Sequence, residues 1–305
     1  PMLAVTFLGT SAARPTVERN VSALALVREG ETLLFDCGEG TQRQMMRYGV
    51  SFALKDILFT HFHADHFLGV IGLVRTLGLQ GREEPLTLRG PRGAKQVLQQ
   101  AMVLGVERVP FEVKIEEVKV GDRLEREGYA LHVFATEHGG SSVGYALVEA
   151  ERYGRFDPEK ARALGIPEGP LWGKLQRGET IVLADSRQLT ADSVVGPPRP
   201  GRKVVITGDT RPCATVVEAA QGADLLVHEA TFGEEEKDRA KETMHSTARE
   251  AAQVALAAQV RKLVIGHLSA RYSISAEDLV KEAREVFPNV AAAKDGMTVE
   301  IPFSD

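Results

Sequence analysis

Cysteine is scarce in this 305-residue chain. Only Cys37 and Cys213 occur, too few for a disulfide framework, so a reducing compartment is expected. No apolar run reaches the ~20 residues that a membrane-spanning helix needs. No basic-then-apolar leader opens the chain, which begins at Pro1, and a cytoplasmic protein is expected. Tryptophan occurs once, at Trp172, and asparagine twice, at Asn20 and Asn289; with 14 prolines this hints at heat resistance. Positive charge is not in excess either: 37 Lys and Arg against 42 Asp and Glu leave a net charge of −5, so the surface is not coated in cations. A nucleic-acid enzyme is not thereby excluded, because only the local field at a groove must be positive and bound metals supply part of it. Apolar residues are plentiful. At 43% hydrophobic, the chain can bury a large core as one α/β domain or two fused halves.

What is abundant is histidine in one place. The apolar run Ile57-Leu58-Phe59 reads as a buried strand, and Thr60-His61-Phe62-His63-Ala64-Asp65-His66 follows it. Alternation throws His61, His63 and Asp65 to one side of an extended loop, and His66 breaks step as a helix over 67–79 begins. Three of the chain's eight histidines fall within these six positions, too dense for ordinary turn histidines. Imidazoles with a carboxylate suit a borderline metal ion, and four such groups can hold two ions side by side.

Along the chain, strands are predicted over 2–8, 22–28, 32–35, 86–89, near 111–118, 129–136, near 179–184, 203–207, 224–227 and 262–266. Helices are predicted over 41–48, 92–104, 213–221, 248–258 and 276–287, and a pair of short strands closes the chain. Asp36 ends strand 32–35 and reads either as a brace behind the metal loop or as a turn or N-cap aspartate. Ser246 or Thr247 caps helix 248–258. His132 lies mid-strand and reads as structural. Strand ends recur as the place for potential ligands: His138, Asp209, His228 with Glu229, and His267. Ligands collected from the strand ends of a sheet converge on one rim. His61, His63, His138 and Asp209 suit one zinc ion; Asp65, His66, His267 and a shared Asp209 suit a second.

Residues 151–178 break the alternation of strands and helices. Six Lys and Arg against four Asp and Glu make the segment mildly basic within an acidic protein, and it has too little apolar surface for a core. It reads as an inserted, flexible arm, or as a surface excursion with no partner.

The H-x-H-x-D-H loop resembles the hydrolase branch of the metallo-β-lactamase superfamily. More narrowly, the chain resembles the ribonuclease Z family over essentially its whole length. The resemblance is carried by Phe35-Asp36-Cys37-Gly38-Glu39-Gly40-Thr41-Gln42, Gly208-Asp209-Thr210, His228-Glu229-Ala230-Thr231, His245-Ser246-Thr247, and His267 with Ser269-Ala270-Arg271. Gly169-Pro170-Leu171-Trp172-Gly173-Lys174-Leu175 is similar to the family's tRNA-gripping arm. It implies a single αββα sandwich over 1–305, with two mixed sheets face to face, helices outside and the arm protruding at 151–178.

It also implies two Zn²⁺ per subunit, with Mn²⁺ possible, and cleavage of precursor tRNA after the discriminator nucleotide by a metal-activated water. Asp65 would accept the proton of that water. His245, held by Glu229, would protonate the departing 3′ oxygen; without the family, His245 reads equally well as a histidine near a helix cap. Arg271 and Ser269 would contact phosphate near the cut, and Lys174 and Arg177 the tRNA body. A homodimer is implied, one subunit's arm holding tRNA for the other's site, with no membrane partner. One departure is visible: Val17 stands where the family's P-x-K-x-R-N loop has lysine, which leaves the treatment of CCA-bearing precursors open. Rival classes are a small-molecule hydrolase of the same fold, acting on an ester, thioester or phosphodiester, and a tRNA-binding module without turnover.

Overall fold

The computed structural model describes residues 1–304. Its strands are β1 (Leu3–Gly9), β2 (Ala23–Arg28), β3 (Glu31–Phe35), β4 (Leu54–Leu58), β5 (Leu86–Gly90), β6 (Val113–Glu117), β7 (Arg123–Arg126) and β8 (Tyr129–Ala135). They continue with β9 (Val143–Glu149), β10 (Ile181–Val182), β11 (Gln188–Leu189), β12 (Lys203–Ile206), β13 (Leu225–Glu229), β14 (Lys262–Gly266), β15 (Val290–Ala292) and β16 (Thr298–Glu300). Two seven-stranded sheets result, ordered β16-β1-β2-β3-β4-β5-β6 and β15-β14-β13-β12-β9-β8-β7. Each is mixed: β3 to β6 and β12 to β15 are parallel, the remaining pairs antiparallel.

The helices are α1 (Thr41–Arg47), α2 (Ala64–Phe67), α3 (Gly69–Leu79), α4 (Ala94–Val103), α5 (Pro158–Ala163), α6 (Pro170–Gln176), α7 (Ala214–Ala220), α8 (Lys237–Glu242), α9 (Ala248–Ala258) and α10 (Glu277–Arg284). Parallel strands such as β3 and β14 are apolar on both faces, and both faces are covered. Leu33 and Phe35 join Leu26, Leu58, Leu131, Tyr145 and Val264 between the sheets, while Leu34 turns outward to Met45 and Leu73 beneath α1 and α3. On the other sheet, Leu225 and Val264 face inward, and Leu226, Leu263 and Ile265 pack under α7, α9 and α10. Period-two alternation with no polar face requires this layering, each buried leucine stabilising it by roughly 1.5–3 kcal/mol. The two mixed sheets with outer helices agree with the expected αββα sandwich. Among the described residues, no helix is long and apolar enough to cross a membrane.

Three features differ from the sequence expectation. First, β7 and β9 went unforeseen. β9 contains Gly144, where the Phe134 ring packs so closely that a Cβ would lie 2.2 Å from it, and a glycine beside Ser141-Ser142 reads as loop. Second, the helix after the metal loop begins at Ala64 rather than 67, so Asp65 and His66 sit inside α2. Third, the arm is larger than 151–178 and has a core of its own. Ala161, Ile166, Leu175, Ile181, Leu183 and Val194 are buried together, with Phe156 and Trp172 against them. Half of that core lies beyond Gly178, which is why the shorter window looked too polar to fold. β10 and β11 pair only with each other, within the arm.

The arm's two ends run as a paired stalk. Arg152 and Arg199 exchange backbone hydrogen bonds of 2.7 and 2.9 Å, and Asp157 N–H donates to Val194 O. Its root is the far end of β9 and the near end of β12. β9 starts where Val143 N–H donates to Thr60 O, beside the metal loop, and runs seven residues away, about 20 Å, before the arm departs.

Candidate metal centre and active site

Four separate loops, following β4, β8, β12 and β14, deliver side chains to one rim. Nε2 of His61 lies 3.1 Å from Nδ1 of His63 and 3.4 Å from Oδ2 of Asp209; Nε2 of His138 lies 3.2 Å from Nδ1 of His63. Next to this group, Nε2 of His66 is 3.2 Å from Asp209 Oδ2 and 3.4 Å from Asp65 Oδ2. Nε2 of His267 is 3.3 Å from Asp65 Oδ2 and 3.2 Å from Asp209 Oδ1. The seven residues expected from sequence are thus brought together, with His61, His63, His138 and Asp209 in one group, Asp65, His66 and His267 in another, and Asp209, Glu229, His245 and His267 in a third that overlaps both.

The backbone is bent to achieve this. Asp36 and His267 have left-handed φ of 59° and 55°, a conformation non-glycine residues hold only when their surroundings enforce it. Gly208, with φ of 64°, lets the chain turn against Thr60, where a Cβ would come within 2.6 Å, and so aims Asp209 inward.

The donor set fits metal binding through its outer hydrogen bonds. Thr60 Oγ1 donates to Asp36 Oδ2 (2.8 Å), so toward His61 Nδ1 (3.0 Å) it can only accept. Thr231 Oγ1 donates to Glu229 Oε2 (2.8 Å) and accepts from His267 Nδ1 (2.8 Å). His66 Nδ1 donates to Asp36 Oδ2 (2.8 Å), and His138 Nδ1 to Met244 O (2.6 Å). Four imidazoles are therefore held with Nδ1 protonated and the Nε2 lone pair turned inward, as metal ligands require. Asp209 Oδ1 is buried without a hydrogen-bond donor. Nitrogens and carboxylates crowded together in this way call for positive charge between them, from cations or, in their absence, from protons.

The electrostatics agree. Burial pushes His61, His63 and His138 toward the neutral form, with neighbouring imidazoles adding to the effect. Burial alone would raise Asp65 and Asp209, yet hydrogen bonds and charge from His267, His66 and His61 hold both below the usual carboxylate range. Against burial, Asp209 and Asp65 raise His267 to about 9, and Asp209 and Asp36 raise His66. Without metal, protons on these two rings take the cations' place.

The Asp36 brace is what the structure shows, since its carboxylate also accepts Thr60 N–H at 2.8 Å. At the margin of the second cluster, His245 Nδ1 lies 2.7 Å from Glu229 Oε1, and its ring stacks on His267 at 5.2 Å. Thr247, not Ser246, caps α9, in a capping box with Glu250. His228 is buried under the rim and His132 lies outside it, mid-strand in β8.

The expected substrate contacts are less concentrated. Ser269 caps the 270–272 turn through Arg271 N–H, and the exposed Arg271 guanidinium pairs with Glu235 (2.8 Å) and Glu236 (3.3 Å). Lys174 is exposed on α6 of the arm, and Arg177 is shared with Glu179. Trp172 donates from Nε1 to Ile166 O and is half-buried in the arm's core. Sequence reasoning missed Thr60, Thr231 and Arg211. The last binds His245 O (2.8 Å) and Glu250, fixing the histidine's backbone. None has a signature in a single sequence, because each acts on a residue distant in the chain.

Two mixed sheets carrying an H-x-H-x-D-H loop and a shared aspartate define a hydrolase of the metallo-β-lactamase superfamily, whose family model matches residues 16–149. The chain is 59% identical to ribonuclease Z of Gemmatimonas aurantiaca, over 99% of this chain and 97% of the relative, and 51% identical to ribonuclease Z of Haloferax volcanii, over 98% and 95%. It superposes on human tRNase Z, short form, with a TM-score of 0.72 and 28% identity, covering 98% of this chain and 100% of that one. The chain belongs to the ribonuclease Z family, and it is an endoribonuclease, a phosphodiester hydrolase.

Proposed function

We infer that this enzyme removes the 3′ trailer of precursor tRNA. It cuts after the discriminator nucleotide and leaves a 3′-hydroxyl on the tRNA and a 5′-phosphate on the trailer. The observation that carries this is the oriented His245–Glu229 pair (2.7 Å) at the edge of two converging donor clusters, in a chain of this family. We assign His61, His63, His138 and Asp209 to one cation and Asp65, His66, His267 and the shared Asp209 to the other. Zinc suits this imidazole-rich set, and manganese is an alternative. When bound, such a pair supplies Lewis acidity and brings a coordinated water's pKa to about 7.

The chain's own groups do the rest. Asp65, fixed by Ala13 N–H at 3.0 Å, stays a carboxylate and receives the attacking water's proton. Glu229 occupies His245 Nδ1, so Nε2 is the nitrogen that delivers a proton to the departing 3′ oxygen. Arg271 exchanges Glu235 and Glu236 for a phosphate near the cut, with Ser269 shaping its turn. We assign Lys174 and Arg177 to the tRNA backbone. The arm's root lies at the opposite end of β9 from the metal loop, which favours a homodimer in which each arm serves the partner's site. Two free cysteines suit a cytoplasmic setting.

The test is gel mapping of the cut on a precursor tRNA, with and without CCA, in zinc and in chelator. A single metal-dependent cut at the discriminator is expected. Turnover of lactones or thioesters, with precursor tRNA left intact, would reject the assignment.

A further inference from the structure

We propose that the groove between α10 and the free edge of β15 holds the single-stranded trailer RNA on the 3′ side of the cut. This rests on the trailer-removing function above. The groove has a volume of about 1040 Å³, and Ile274, Val280, Lys281, Arg284, Val290 and Lys294 are among the residues that line it. Its mouth, residues 274–276, begins seven residues along the chain from His267. Buried Arg19 fixes that mouth by donating to Ser273 O (3.0 Å), Thr10 Oγ1 (2.9 Å) and Ala293 O (2.6 Å). β14 and β15 are parallel and end at the rim, so α10, which joins them, starts at the rim and leads away from it.

The chemistry of the lining suits a single strand. Lys281 and Lys294 are exposed, and neither has an ion-pair partner among the described residues, in a chain whose net charge is −5. Arg284 adds a third cation. Of the two carboxylates in the lining, Glu285 is taken by Arg249 at 2.7 Å, leaving Glu277 as the one opposing charge. Ile274 is 87% exposed at the mouth, and with the partly buried Val280 it offers apolar surface to bases. β15 pairs only with β14, so its outer backbone groups face the groove unpaired by strand. α10 spans eight residues, about 12 Å, room for a few extended nucleotides but not for the width of a duplex.

The experiment compares two precursors with the same tRNA body, one with a single-nucleotide trailer and one with a trailer long enough to fill the groove. The double variant Lys281→Glu with Lys294→Glu should raise KM for the long-trailer precursor about tenfold and lower the salt slope of its binding by about 1.4, roughly 0.7 for each lost phosphate contact. Cleavage of the short-trailer precursor and of bis(nitrophenyl) phosphate should not change. A thiouridine in the long trailer should cross-link to the 274–294 wall. Equal losses on both precursors, or no loss on either, overturn the proposal; indifference to RNA would leave the groove to an extended peptide at the β15 edge. A wild-type enzyme that cuts no precursor would instead remove the trailer function itself, and the groove's role with it.

Discussion

Nδ1 of His245 donates to Oε1 of Glu229 across 2.7 Å, and Glu229 has no freedom to move away. Its carboxylate also accepts from Thr210 N, Thr231 N, Thr231 Oγ1 and Ser246 N, all within 3.2 Å. Burial would raise this carboxyl, but the charge and hydrogen bond of His245 draw it below its ordinary range.

A proton donor matters most when the leaving group is poor. His245→Ala should slow precursor tRNA cleavage by ~10²–10⁴, yet slow an activated nitrophenyl ester by far less. Equal slowing of the two in parallel kinetics would reject the donor role.

Asp65 and Asp36 separate ligand from brace. Asp65→Ala should abolish cleavage and cost metal, since it removes a carboxylate from the second cluster. Asp36→Ala removes only the acceptor behind His66 and Thr60, and should weaken metal affinity ~10–100-fold while excess zinc restores turnover. Metal content by mass spectrometry, with activity after chelation and refilling, checks both. Near-normal turnover of Asp65→Ala would end the two-metal assignment.

The arm's own core changes how it can be removed. Deleting 155–177 strands Ile181, Leu183 and Val194 without Ala161, Ile166 and Leu175, so that protein should be unstable and prone to aggregate. Deleting 153–198 and closing the stalk with a short flexible linker removes the whole unit. That variant should hydrolyse a small phosphodiester normally and lose precursor cleavage; loss of both activities in a well-folded variant would mean the arm is structural.

Glu149 supports the arm's root, binding Arg202 (2.9 Å) and Arg28 (2.8 Å). Burial would raise it, but the two guanidinium groups lower it below its usual 4.5. A depressed folded value means the stabilisation is present above 4.5 and is lost as pH falls through the folded value. Glu149→Gln should therefore cost about 3 kcal/mol at neutral pH and progressively less below about pH 4. Chemical denaturation of both proteins across that range is the measurement, and a pH-independent difference would contradict it.

The clustering of the candidate ligands was legible because each follows an apolar strand and strand ends share a rim; His138, Asp209 and His267 needed only that rule. Asp36 was half legible, since its neighbours give no hint whether it caps or braces. The layers followed from strands that are apolar on both faces. Thr231 and Arg211 were not legible, because their partners are side chains and carbonyls brought near only by folding. The arm's extent was missed for a related reason: its buried residues are split across a hairpin, so no contiguous window looks like a core.

The placement of the arm's root, a strand's length from the metal loop, has a genetic corollary. If the arm is what grips the substrate, grip and chemistry can be lost by independent lesions. If each arm serves the other subunit, two crippled chains, one without its arm and one without Asp65, should rescue each other when co-expressed. A mixed pair would keep one competent site, where neither homodimer has any.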